Sequence, residues 1–95
     1  MVNENKEKEI QAALENFGHF VNSARKGLGM TFEELGERTN LSPSYIYRLS
    51  KNARKSTLNT QVNILSNGLS WSKEEIMEFL ELVIADREAL KGIVD

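Results

Sequence analysis

Few residues of this 95-residue chain are of types and spacings that could do chemistry. The one histidine, His19, stands beside Phe20, with no cysteine and no second histidine to build a metal site or activate a nucleophile. Two adjacent glutamate pairs, Glu33/Glu34 and Glu74/Glu75, fall where helices begin, and there a carboxylate favours the positive end of the helix dipole. That role accounts for them. The expectation is therefore a protein that is not an enzyme and uses no cofactor, metal or small-molecule substrate. Positive charge is what the chain concentrates. Residues 19–62 carry seven cations, Arg25, Lys26, Arg38, Arg48, Lys51, Arg54 and Lys55, against three acids, Glu33, Glu34 and Glu37, a net +4. Residues 1–18 sum to −2 and residues 63–95 to −4. A chain of formal charge −2 thus presents a basic middle between acidic ends, a distribution suited to a polyanionic partner.

The elements that must position this charge read as helices throughout. From about Asn5 to Lys26, the residues Ile10, Ala13, Leu14, Phe17, Phe20 or Val21, Ala24 and Leu28 recur at three- and four-residue steps, the face of one long helix. Gly27 and Gly29 stop it, one of them as a left-handed cap. Thr31-Phe32-Glu33-Glu34 is a capping box that opens a second, short helix ending near Thr39. Asn40 suits the positive-φ position that follows. Ser42 and Pro43 restart the chain as N-cap and first helical residue. The third helix then runs to about Lys51 with Ile46 and Leu49 inward, and Asn52-Ala53-Arg54-Lys55-Ser56 follows as a basic loop. A fourth helix places Leu58, Val62, Ile64 and Leu65 inward and stops at Asn67-Gly68. Ser72-Lys73-Glu74-Glu75 is a second capping box, opening a long last helix over about 73–91. Its apolar positions are Ile76, Phe79, Leu80, Val83, Ile84 and Leu90, extending to Ile93 and Val94. The prediction is one compact, all-α, five-helix domain.

Within it, residues 31–51 form two short helices joined by a tight turn. Gly36, with no Cβ, lets the second helix cross the first closely, and the outer face of residues 43–51 is left free to project. The run Phe17–Leu69 resembles the phage-repressor-like helix-turn-helix family, the Cro and repressor (XRE) type. The motifs that carry the likeness are Leu28-Gly29-Met30-Thr31, Glu33-Glu34-Leu35-Gly36, Asn40-Leu41-Ser42 and Ser44-Tyr45-Ile46-Tyr47-Arg48-Leu49, in ungapped spacing through Asn52. Two positions depart from the family pattern. Ser50 stands where a glutamate often pairs with the arginine ending the first helix, here Arg25, which leaves Arg25 free for a phosphate. Phe32 stands where a phosphate-binding glutamine is common, and its ring is expected to pack on a neighbour or a sugar edge.

The resemblance implies a lambda-repressor-like fold of bacterial or phage origin, with its third helix in the major groove of double-stranded DNA. It then assigns Pro43, Ser44, Tyr47 and Arg48 to the base edges. Arg48 ranks first, because a guanidinium can bond both O6 and N7 of guanine. Arg25, Thr31, Tyr45, Lys51, Asn52, Arg54 and Lys55 are assigned to the sugar-phosphate backbone, where they position the protein and confer salt dependence. Such proteins usually pair so that two reading helices lie one DNA turn apart, about 34 Å. Ile76, Phe79, Leu80, Val83, Ile84 and Leu90 offer more apolar surface than closing a small domain requires, and are expected to form a homodimer face; the alternative is that this helix folds back wholly onto the first helix.

The expected function is a transcriptional regulator, a repressor on an inverted-repeat operator. One alternative is an antitoxin that binds its own promoter and masks a toxin through its acidic last helix or N-terminal extension. From another class, the fold could serve as a protein-interaction module. Glu78, Glu81 and Asp86 interrupt the longest apolar stretch, so no membrane span is expected, and the charged N-terminus carries no apolar leader. A cytoplasmic location is the expectation.

Overall fold

A computed structural model describes residues 2–94, with side chains through Arg87. The described residues form six helices and no strand: α1 (Glu4–Glu15), α2 (Phe17–Gly27), α3 (Phe32–Thr39), α4 (Pro43–Ser50), α5 (Leu58–Asn63) and α6 (Lys73–Val94). The long first helix expected from periodicity is two helices. Asn16 breaks it with an extended backbone (φ −154°, ψ 90°), and its side chain accepts from the His19 N–H to cap α2. The apolar spacing runs through the break unchanged, so periodicity alone could not reveal it. Leu28, expected on the apolar face, lies past the end of α2 and is 61% exposed.

The other boundaries follow local chemistry. The Thr31 hydroxyl accepts from the Glu34 N–H at 3.0 Å and the Ser42 hydroxyl from the Tyr45 N–H at 3.1 Å. At the start of α6 both halves of the capping box are made: the Ser72 N–H donates to the Glu75 carboxylate at 2.7 Å and the Glu75 N–H to the Ser72 hydroxyl at 3.2 Å. Gly29 (φ 65°) and Asn40 (φ 59°) take the left-handed turn positions. The chain after α5 stays helical but widens over Ile64–Gly68 into a π turn, closed by the Leu69 N–H bonding to the Ile64 carbonyl.

One core joins five of the helices and the π turn, and Leu58 of α5 packs half-buried against it. Ile10 and Ala13 of α1, Phe17, Phe20 and Val21 of α2, Leu35 of α3, Ile46 and Leu49 of α4, Ile64 and Leu65 of the π turn, and Phe79 of α6 are buried together with Met30 and Trp71. Trp71, in the turn before α6, meets the edges of Phe20 (ring centroids 5.7 Å apart) and Phe79 (6.2 Å). Phe79 is therefore a core residue, 1% exposed, and not part of a pairing surface. Ile76, Leu80 and Val83 lean half-buried on the same core. Of the expected pairing residues Ile84 stands clear, 54% exposed, and the side chain of Leu90, like those of Ile93 and Val94, lies outside the described residues. No helix among the described residues is long and apolar enough to cross a membrane.

Candidate nucleic-acid interface

Helix α4 is seated by two glycines. A Cβ on Gly36 of α3 would stand 2.7 Å from the Leu41 carbonyl oxygen and 3.4 Å from the Pro43 ring. A Cβ on Gly18 of α2 would overlap the Leu49 carbonyl oxygen and lie 2.6 Å from the Asn52 side chain. The backbone of α4 thus rests directly against α2 near its C-terminal end, while at its start α3 lies close against the turn and the Pro43 ring. The sequence pointed to Gly36. Gly18 was missed, because a glycine inside a helix names no partner until the fold brings Leu49 to it.

With Ile46 and Leu49 turned into the core, the opposite face of α4 is open: Pro43, Ser44, Tyr47 and Arg48 are all exposed. The segment that follows adds Lys51, Asn52, Arg54 and Lys55, likewise exposed, with Asn52 turning the chain at φ 59°. Among the described residues, Arg48, Lys51, Arg54 and Lys55 take part in no ion pair. Lys51 lies over the Tyr47 ring at 5.6 Å, and Arg54 over the half-buried Tyr45 ring at 6.0 Å. The result is a surface of unneutralised cations interleaved with two tyrosines, able to offer hydrogen bonds and positive charge to a polyanion. Thr31 lies exposed at the N-terminus of α3, its hydroxyl accepting from the Glu34 N–H as the cap.

Arg25 is held from within the protein, where its missing glutamate partner suggested a free side chain. Its guanidinium donates to the Met30 carbonyl at 2.7 Å and to the Asn22 side chain at 3.1 Å, and stacks on the Phe32 ring at 4.0 Å. Its Nε is buried without a hydrogen-bond partner among the described residues. Ser50, in place of the glutamate, bonds back into its own helix at the Tyr47 carbonyl, 2.6 Å. Phe32 packs on its neighbours as expected: the Tyr47 ring meets it edge-on at 5.5 Å.

Away from this surface, one cation is neutralised by its neighbours. Lys6 of α1 pairs with Glu9 (3.3 Å) and Glu75 (3.6 Å) and covers the Trp71 ring at 4.8 Å. Burial pushes the Glu75 carboxyl up, but the Ser72 N–H and the Lys6 charge outweigh it and hold it below its ordinary value. In comparisons with protein-family models, curated proteins and solved structures, the chain matches none of them.

Proposed function

We propose that this chain is a sequence-specific, double-stranded-DNA-binding transcriptional regulator of the phage-repressor-like helix-turn-helix type, a repressor that binds an inverted-repeat operator as a homodimer. One observation carries it: the exposed face of α4 and the segment after it hold four cations that form no ion pair among the described residues, and the other face of α4 is locked into the core. In this reading Arg48, with Ser44, Tyr47 and Pro43, meets base edges in the major groove. Lys51, Asn52, Arg54, Lys55 and Tyr45 lie along the phosphates. Pairing draws support from the apolar surface that α6 leaves open at Met77, Leu82 and Ile84.

The test is selection from a random duplex library, wild type beside Arg48→Ala and Lys55→Ala, with binding measured across a salt series. Enrichment of an inverted repeat with half-sites about one turn apart is expected. Arg48→Ala should blur one base position by about 1–3 kcal/mol, while Lys55→Ala weakens all sites alike and reduces the salt slope by about 1. No enrichment, with weak binding at every salt concentration, sinks the proposal. Sedimentation as a monomer well above the DNA-binding range sinks its dimeric part.

A further inference from the structure

We infer that Phe32 is a positioning residue for sequence preference, acting through Tyr47, with Arg25 as the anchor that holds it. The inference rests on the DNA-reading proposal and adds residues that do not themselves face the bases. Tyr47 is half exposed on the open face of α4, where a side chain with free rotation would sample several directions. It is not free. The Phe32 ring meets it at 5.5 Å with the planes inclined by 77°, the edge-to-face geometry that aromatic quadrupoles favour. Lys51 lies 5.6 Å from its centroid.

Phe32 is itself held. It is the first residue of α3, half-buried, and Arg25 covers its ring at 4.0 Å. The guanidinium cannot swing away without breaking its bonds to the Met30 carbonyl and the Asn22 side chain. A fixed cation therefore fixes a ring, and that ring orients the tyrosine. The chain Arg25, Phe32, Tyr47 runs from the end of α2, through the start of α3, to the exposed face of α4. Because the hydroxyl of Tyr47 is its only hydrogen-bonding group, the direction of the ring decides which base edge or methyl group it can meet. Preorganising that direction raises discrimination without a new contact.

The experiment compares binding of wild type, Phe32→Leu, Phe32→Tyr and Tyr47→Ala to the selected duplex and to its single-base variants. Folding of each variant is followed by thermal melting, and the Tyr47 ring protons by NMR in the free protein. Phe32→Leu is expected to reduce discrimination about fivefold, the low end for one base contact, at the same base pair that Tyr47→Ala blurs. Its salt slope should stay unchanged and its Tyr47 ring protons should shift. Phe32→Tyr keeps the ring and should restore the preference. In a Tyr47→Ala background, Phe32→Leu should add nothing at that base pair. A Phe32→Leu variant that is folded and equally weakened on every duplex overturns the inference while leaving the DNA-reading proposal in place. So does one that keeps the wild-type preference. A wild type with no preference for any duplex overturns both.

Discussion

Lys6 on α1 and Lys51 at the end of α4 both lie against an aromatic ring, yet their surroundings differ in kind. Lys6 covers Trp71 and is neutralised by Glu9 and Glu75, so it ties α1 to the start of α6. Among the described residues, Lys51 lies over Tyr47 with no carboxylate partner, and Arg48, Arg54 and Lys55 around it have none. One lysine closes a structure and the other leaves charge available. In a protein this small, the lesson is that function is to be sought where unpaired charge gathers on one exposed face, more than where residues of one type are most abundant.

The largest test of that division concerns α6. If Phe79 belongs to the closed region, Phe79→Ala should lower stability by about 3–5 kcal/mol in urea unfolding and leave the oligomeric state of the remaining folded protein alone. A change in sedimentation with stability intact would return Phe79 to a surface role and break the comparison. Next comes the seat of α4. Gly18→Ala forces a methyl group into the Leu49 carbonyl and should cost about 1–3 kcal/mol, with duplex binding weakened as α4 shifts. Gly27→Ala faces open space and should be neutral or stabilise by about 0.4–1 kcal/mol.

Smaller effects sharpen the contrast between the two lysine environments. Lys6→Ala should remove about 0.5–1 kcal/mol of stability and leave the salt dependence of duplex binding untouched. Lys55→Ala should do the reverse, changing stability by less than about 0.5 kcal/mol. The smallest effect is acid-dependent. The Glu75 carboxyl sits below its ordinary 4.5, so its stabilisation is fully present above that value and is lost as pH falls through the lower folded value. Glu75→Gln keeps an acceptor for the Ser72 N–H and loses the charge. The stability gap between it and wild type should therefore be widest near neutrality and close in acid, read by melting at a series of pH values.

Much of the local structure was legible because it is set by neighbours in sequence. Thr31, Ser42 and Ser72 cap as their positions require, Asn40 takes the left-handed turn, and Gly36 sits where two helices cross. What escaped depends on contacts distant in sequence, or on a residue with two uses. Asn16 is acceptable inside a helix, and only its bond to the His19 N–H marks it as a cap. Trp71 lies in a turn with no periodicity to flag it, and becomes a hub between Phe20 and Phe79 once α2 and α6 meet. Arg25 appeared free because its side-chain partner was missing. The acceptor it found is a backbone carbonyl, at Met30, which every residue but none in particular advertises. The candidate interface shows the same split: the exposed positions Ser44, Tyr47, Arg48, Lys51, Asn52, Arg54 and Lys55 were readable, and the ring behind Tyr47 was placed only by the fold.

The break at Asn16 has a kinetic consequence. Its N–H is bonded to Ala12 in α1, and its carbonyl receives the Phe20 N–H of α2, so the two hydrogen-bond ladders meet at one residue and share no turn beyond it. Helix α1 can then open as a unit without fraying α2. Its amides should exchange with solvent through that partial opening, while those of α2 wait for global unfolding. Each such opening removes Ile10 and Ala13 from the core and frees Lys6 from Trp71. The N-terminal helix is thus a segment through which the protein would expose its interior to a protease or to another chain without unfolding as a whole.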